Sequence, residues 1–357
     1  MKKIGLMTWF TYDNYGSLLQ CKAMLEIIKI LGYDSELVNY EPRTPYKSNR
    51  TVLEFGNQII KKGYKKIFVR KKKKIFQSKK MAIFRDELEK SKEVNTKSEL
   101  FILNDVYDAF VCGSDQIWAP TAYDENYFLS FVRDNNKKIA YAPSIGLPVI
   151  ENNFIKEHMK NLISQFQFLS TREDQGAKLI YQLTGRDAKV VLDPTLLLTK
   201  QEWEPNIAGI SHKDYILTYF LGENKKHRKI CKEIAKKLNK KLLIIPSNPC
   251  DYEDKDCIHD DIGPKEFLGL IDHSYMVLTD SFHGTIFSLN FKKPLIPFKR
   301  FKDDNMSQNS RIYNILNSLN LNNLLFEDDI DKSIECALSV DYKEVDRLLN
   351  SLRKSSI

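Results

Sequence analysis

The chain has 357 residues, of which 42% are hydrophobic and 29% charged, with only 14 Gly and 12 Pro. That composition is globular, offers material for more than one core, and excludes collagen-like, low-complexity and disulfide-stapled classes. The formal charge is +8, but residues 61–80 hold eleven Lys or Arg and no acid, so this stretch carries +11 and the remainder nets −3.

A first strand is expected over Ile4–Thr8, too short an apolar run for a signal sequence. A polar loop, Trp9 to Gly16, leads into a helix from Ser17 to about Leu31, which Gly32 closes as a C-terminal cap. Ser35–Asn39 is the next strand, and right-handed crossover makes the pair parallel. A basic helical segment spans 56–92. Within it, apolar residues such as Ile60, Tyr64, Ile67 and Phe68 interleave with the cations of 61–80 at roughly helical spacing. Two readings stand: a solvated helix packed on its own domain, or peripheral contact with an anionic membrane surface. Nucleic acid fits less well, because no recognition motif accompanies the charge. Ala109–Cys112, Lys138–Tyr141, Phe166–Ser170 and Lys189–Leu192 read as further strands, each delivering polar residues at its C-terminal end.

The pattern restarts after a boundary near 199–213. A strand and turn at Tyr215–Gly222 precede a Lys-rich helix from Lys225 to about Asn239, then a strand over Lys241–Pro246. A helix is expected over Gly263–Ile271, a strand over Tyr275–Leu278, a helix over Thr285–Phe291 and a strand over Lys293–Phe298. Repeated strand–helix alternation implies two doubly wound, Rossmann-like α/β domains facing across a cleft. We assign 1–205 to the first, 206–340 to the second and 341–357 to a C-terminal helix packing back on the first. No run approaches the ~20 apolar residues of a membrane span, and a cytoplasmic protein is expected. The six cysteines show no paired framework, and Cys250, Cys257 and His259 match no standard zinc spacing, so neither a metal nor a cofactor is expected.

Asp280-Ser281-Phe282-His283-Gly284 lies between a strand and a helix. A His on that turn sits where open α/β sheets place their chemistry, and the N–H groups of the following helix favour an anion. The stretch therefore pairs a proton-handling group with an anion cradle.

Five motifs in this order resemble the polysaccharide pyruvyl transferase family. They are Asp13-Asn14-Tyr15-Gly16 with Leu19-Gln20, Gly113-Ser114-Asp115-Gln116-Ile117-Trp118, Ser170-Thr171-Arg172-Glu173, Asp193-Pro194-Thr195-Leu196-Leu197 and Asp280–Gly284. The resemblance runs from the first strand to about Leu325 and implies a fold of the GT-B type. It also implies transfer of pyruvate from phosphoenolpyruvate to two hydroxyls of one sugar, giving a cyclic ketal and phosphate, with a sugar or lipid-linked oligosaccharide as acceptor. Under that reading Arg172 clamps the donor, because guanidinium binds oxyanions bidentately. His283 is the acid or the phosphate contact, and Asp115 positions or deprotonates the acceptor hydroxyl. Ser281, Gly284, Asn14, Tyr15 and Gln116 complete the substrate contacts.

Each residue also has a plainer reading. Arg172 fits a local ion pair with Glu173, Asp115 an N-cap, and Asn14 and Tyr15 a turn closed by Gly16. Asp193, ahead of a proline, reads as a structural turn, and Trp118 as a buried aromatic. One departure matters: many relatives carry Arg where this chain has Ser281. Arg311 is expected to supply the missing charge, with Lys299-Arg300 as another source. Two alternatives remain. A nucleotide-sugar-dependent glycosyltransferase of the same architecture is disfavoured because no Glu occurs between Glu266 and Glu327. A non-catalytic carbohydrate-binding relative is disfavoured by the joint presence of Arg172, Asp115 and His283.

Overall fold

A computed structural model describes residues 1–41, 78–301 and 309–357. The first sheet holds β1 (Lys3–Met7), β2 (Asp34–Leu37), β3 (Ala109–Cys112), β4 (Lys138–Ala140), β5 (Phe168–Thr171) and β6 (Lys189–Val190), in the order β2-β1-β3-β4-β5-β6. The second holds β7 (Tyr215–Tyr219), β8 (Lys241–Ile245), β9 (Met276–Thr279) and β10 (Leu295–Pro297), in the order β10-β9-β7-β8. Every pairing between these strands is parallel. All residues of β7 and β9 are buried, as expected of parallel strands covered by helices on both faces.

Among the described residues the helices are α1 (Tyr15–Ile30), α2 (Lys79–Glu87), α3 (Lys97–Ile102), α4 (Asn153–Ile163), α5 (Asp174–Thr184), α6 (Pro194–Leu197), α7 (Lys200–Trp203), α8 (Lys225–Lys237), α9 (Pro264–His273), α10 (Phe282–Asn290), α11 (Ser310–Ser318), α12 (Ile330–Leu338) and α13 (Tyr342–Ser356). None is long and apolar enough to cross a membrane. The expected strands recur within one to three residues at each end. The larger shift is α10. Its helix begins at Phe282 rather than Thr285, because the Ser281 hydroxyl accepts from Gly284 N at 3.2 Å and caps the chain as soon as the strand ends. His283 thus stands in the first turn of a helix, not in a loop before it.

Strand order reverses direction twice, at β1/β3 in the first sheet and at β7/β9 in the second. The registers Met7↔Cys112 and Tyr219↔Thr279 bring the strand ends at each reversal level with one another. Open parallel sheets bind their ligands at such reversals, beyond the C-terminal strand ends. One apolar cluster runs through both halves, joining Leu18 and Leu25 of α1 to Trp203, Phe267 of α9, Phe287 of α10 and Leu349 of α13. It seats the two halves against each other.

The C-terminal helix fastens this arrangement. Val345 and Leu349 are buried, and Leu192 N donates to Ser356 Oγ at 3.0 Å. Arg353 donates to Leu196 O at 2.7 Å and to Asn290 Oδ1 at 2.9 Å, tying α6 to the end of α10. Of the basic segment, residues 56–77 lie outside the described residues, as do residues 61–77 of the stretch read as a membrane contact. The described end turns inward: Met81 and Phe84 of α2 enter the shared core, and Lys80 Nζ lies 2.8 Å from Glu266 Oε1.

Candidate functional site

The two reversals face one another and enclose a cavity of about 90 Å³. Tyr12, Asn14 and Ser17 reach it from the loop after β1 and the start of α1, and Asp115 and Gln116 from the end of β3. Tyr219 and Leu221 come from the end of β7, Ser281, Phe282 and His283 from the start of α10, and Arg300 and Arg311 from beyond β10.

Asp115 sits at the centre of the N-terminal wall with a left-handed φ of 61°, a costly conformation for a residue with a side chain and one that concentrates at functional sites. Its Oδ2 accepts a very short hydrogen bond from Ser17 Oγ and one of 3.2 Å from Tyr12 OH, while its Oδ1 accepts from Gln116 N at 2.9 Å. Burial opposes ionisation, but the Arg172 guanidinium, aided by the Ser17 hydrogen bond, outweighs it and holds the carboxyl below its usual range. It is therefore an acceptor at neutral pH, and the longer of its two hydroxyl contacts, to Tyr12, is the one a substrate hydroxyl can take over.

Arg172 is engaged rather than free. Its Nη1 binds Asp193 Oδ2 at 2.7 Å, its Nη2 lies 3.5 Å from Asp115 Oδ1, and its Nε lies 3.8 Å from Glu173 Oε2. It does not line the 90 Å³ cavity. It lines a smaller one behind Phe282, together with Asp193 and Arg311. Asp193 caps α6 through Thr195 N at 3.1 Å, as a turn residue would, but it also accepts from Ser114 Oγ at 3.2 Å and lies 3.8 Å from His283 Nε2. Arg172 thus acts as a strut that fixes two carboxylates, Asp115 and Asp193.

His283 is buried, and among the described residues its Nε2 has no hydrogen-bond partner. Burial, opposed by Asp193 and reinforced by Arg172, pulls its pKa from 6.5 down to about 4, so the imidazole is neutral at pH 7. Gly16 explains its fixed position: a Cβ there would lie 1.9 Å from His283 Nδ1. The glycine after Asn14 and Tyr15 is thus the space the ring occupies. Arg311 is also buried, and burial together with Arg172 draws its pKa to about 9, leaving it cationic at neutral pH. The Phe282 ring lies 4.8 Å from Arg172 Cζ and 5.7 Å from Arg311 Cζ, distances at which aromatic faces stabilise cations.

The residues singled out from sequence fall into two groups. Asn14, Asp115, Gln116, Ser281, His283 and Arg311 line one cavity. Asn14 also caps α1 by accepting from Ser17 N at 3.1 Å. Arg172, Tyr15 and Gly284 do not line it. Tyr15 stacks on Phe267 with ring centroids 4.7 Å apart and borders a separate cavity of about 680 Å³ that shares Tyr219 with the first. Gly284 packs against Thr279, whose Oγ1 would be 2.8 Å from a Cβ. Trp118 is buried and stacks on Phe128. Tyr12, Ser17, Tyr219 and Leu221 were not anticipated. The signal for Tyr12 and Ser17 was present, since both flank the Asn14–Gly16 motif after a strand end.

Two parallel α/β halves with one composite site between their strand reversals define a fold of the GT-B type. The same fold occurs in the UDP-GlcNAc 2-epimerase of Methanocaldococcus jannaschii, which is 14% identical, with 99% of each chain covered and a TM-score of 0.55. A putative UDP-N-acetylglucosamine 2-epimerase from Listeria monocytogenes is 11% identical over 98% of this chain and 91% of that one, TM-score 0.54. The S. aureus MnaA structure with UDP is 13% identical over 99% and 91%, TM-score 0.52. At such identities the similarity is one of fold. No curated protein sequence matches the chain. The model of the polysaccharide pyruvyl transferase family matches residues 14–300, and the chain belongs to that family.

Proposed function

We propose that the protein transfers pyruvate from phosphoenolpyruvate to two hydroxyls of a sugar, with no cofactor. The observation that supports this most directly is the charge arrangement of the 90 Å³ cavity: two arginines and an imidazole stand on one wall, and an ionised Asp115 on the other. A small, multiply charged donor suits the first wall and a neutral polyol the second. The acceptor hydroxyl gives its hydrogen bond to Asp115 in place of Tyr12 and attacks C2 of the donor as C3 gains a proton. The C2–O bond to phosphate then breaks, and the second hydroxyl closes the ketal on C2, its proton leaving with the phosphate. His283 enters neutral. The donor's negative charges favour its protonated form, so donor binding and proton delivery are coupled at Nε2. Arg311 holds the anion, and Arg172 keeps Asp115 ionised.

The acceptor is a sugar or lipid-linked oligosaccharide, and the basic run 61–80 suits approach to an anionic membrane surface. The test is phosphate release from phosphoenolpyruvate across a panel of sugars with vicinal or 4,6-diols, with thermal shifts by phosphoenolpyruvate and UDP-sugars in parallel. Acceptor-dependent phosphate release accompanied by ketal formation supports the reading. Stabilisation by a UDP-sugar and none by phosphoenolpyruvate overturns it. Arg311→Ala is expected to raise the apparent constant for phosphoenolpyruvate about tenfold or more, and an unchanged constant removes Arg311 from the donor site.

A further inference from the structure

We infer that Arg300 is a direct ligand of the donor anion and supplies, from beyond β10, the positive charge that Ser281 does not provide at the start of α10. The inference rests on the reading of the 90 Å³ cavity as an anion-donor site and names a residue within it.

Position comes first. Arg300 lines that cavity with Arg311, whereas Arg172 stands behind Phe282. Its Nη2 donates to the carbonyl of Asp280 at 3.1 Å. The guanidinium therefore lies against the backbone that leads into Ser281, where a long cationic side chain at position 281 would start. An arginine carries five N–H donors, and among the described residues this one hydrogen-bonds only through Nη2, its buried Nε having no partner there.

Among the described residues, the carboxylate that lies beside it does not consume it. Asp280 Oδ1 is 3.8 Å from Arg300 Nε, too far for a hydrogen bond. Both Asp280 oxygens are already occupied by backbone donors, Leu221 N at 2.7 Å and Gly222 N at 2.9 Å. Asp280 braces the turn after β7, and Arg300 passes beside it with a loosely compensated charge. Gly222 makes that passage feasible: a Cβ there would lie 2.7 Å from Asp280 Oδ2 and 3.1 Å from Arg300 Cγ.

Delivery to the site is built into the chain. Asn309 Oδ1 accepts from Arg300 N at 3.1 Å and Phe301 N at 3.3 Å, and its Nδ2 donates to Phe301 O at 2.9 Å. Two residues after Asn309, Arg311 enters the same cavity wall. One amide side chain thus sets both arginines on a common anchor, and two guanidiniums on one face suit a ligand that carries both a carboxylate and a phosphate.

The test uses the full chain with Arg300→Gln and Arg300→Lys, read by thermal shift with phosphoenolpyruvate, thermal shift with inorganic phosphate, and steady-state kinetics. Arg300→Gln is expected to weaken the apparent constant for phosphoenolpyruvate about tenfold while kcat changes much less, and to diminish the shift caused by inorganic phosphate. Arg300→Lys is expected to fall between it and the wild type. An Arg300→Gln protein with the wild-type unliganded Tm, an unchanged phosphoenolpyruvate constant and an unchanged phosphate shift overturns the inference and leaves the donor reading intact. If the wild type responds to a UDP-sugar and not to phosphoenolpyruvate, the donor reading fails. Loss of the UDP-sugar shift in Arg300→Gln then still supports Arg300 as the anion ligand, and its retention overturns that role as well.

Discussion

Mild acid should find His283 before it finds the rest of the protein. The folded imidazole has a pKa of about 4 against 6.5 for the ordinary group, so below pH 6.5 the unfolded chain binds a proton that the folded chain refuses. The sign follows: the contribution is intact above about 6.5 and is lost as pH falls toward 4. For those two values the linkage relation gives a loss of about 2 kcal/mol at pH 5 and about 3 kcal/mol once pH is well below both. Urea unfolding at pH 7.5 and pH 5, in matched salt, should show the wild type losing about 2 kcal/mol more than His283→Gln. Parallel losses in the two proteins would refute the idea that the folded site holds a neutral imidazole. The same depression has a counterpart in binding. Phosphoenolpyruvate should take up a proton on binding at pH 6, measured by calorimetry in two buffers of different ionisation enthalpy, and the uptake should vanish in His283→Gln.

Three further perturbations probe the supports of the site. Gly16→Ala forces a methyl into the imidazole and should cost about 2 kcal/mol or more by overpacking, visible as a Tm lower by several degrees and a parallel loss of phosphate release. Asp193→Asn leaves the buried Arg172 without its 2.7 Å counter-charge and should cost about 3 kcal/mol in a urea titration; an effect under about 0.5 kcal/mol would mean that Asp115 and Glu173 suffice. Arg353→Ala removes the bonds to Leu196 and Asn290 and should cost about 1–2 kcal/mol, with faster amide exchange confined to residues 192–198.

Much of this fold is legible in the residues, because parallel strands buried on both faces are unbroken apolar runs and each ends in a polar motif. Ala109–Cys112 reads as a strand for that reason, and so does Tyr275–Leu278, displaced by one residue from the observed Met276–Thr279. The start of α10 is ambiguous in the residues because Ser281 can close a turn or cap a helix, and only the Gly284 N contact distinguishes them. The state of the site residues was less legible. Arg172 reads as a free clamp from its motif, yet its partners Asp115 and Asp193 stand 57 and 21 residues away. Asp193 reads as a turn because its capping bonds are local and its bonds to Ser114 and Arg172 are not. Chain spacing carries no record of burial, so nothing in Phe282-His283-Gly284 announces an imidazole held neutral. Arg300 illustrates the same limit. Its position beside Asp280 depends on how Asn309 closes a loop, and no periodicity encodes that.

The paired strand reversals also bear on how such a protein can diverge. The cavity is made from side chains at or beyond the C-terminal ends of β1, β3, β7, β9 and β10, while the sheets beneath contribute almost only backbone and apolar packing. Aliphatic cores accept substitution as long as volume and pattern persist, and loops tolerate exchange more readily still. Under the proposed function, acceptor preference can therefore be rewritten in Tyr12, Asn14 and Gln116 without touching the donor wall at Ser281, Arg300 and Arg311, because the two sets descend from different sheets. On that reading the two halves of the molecule can evolve at separate rates, one tracking the available glycan and the other retaining the anion.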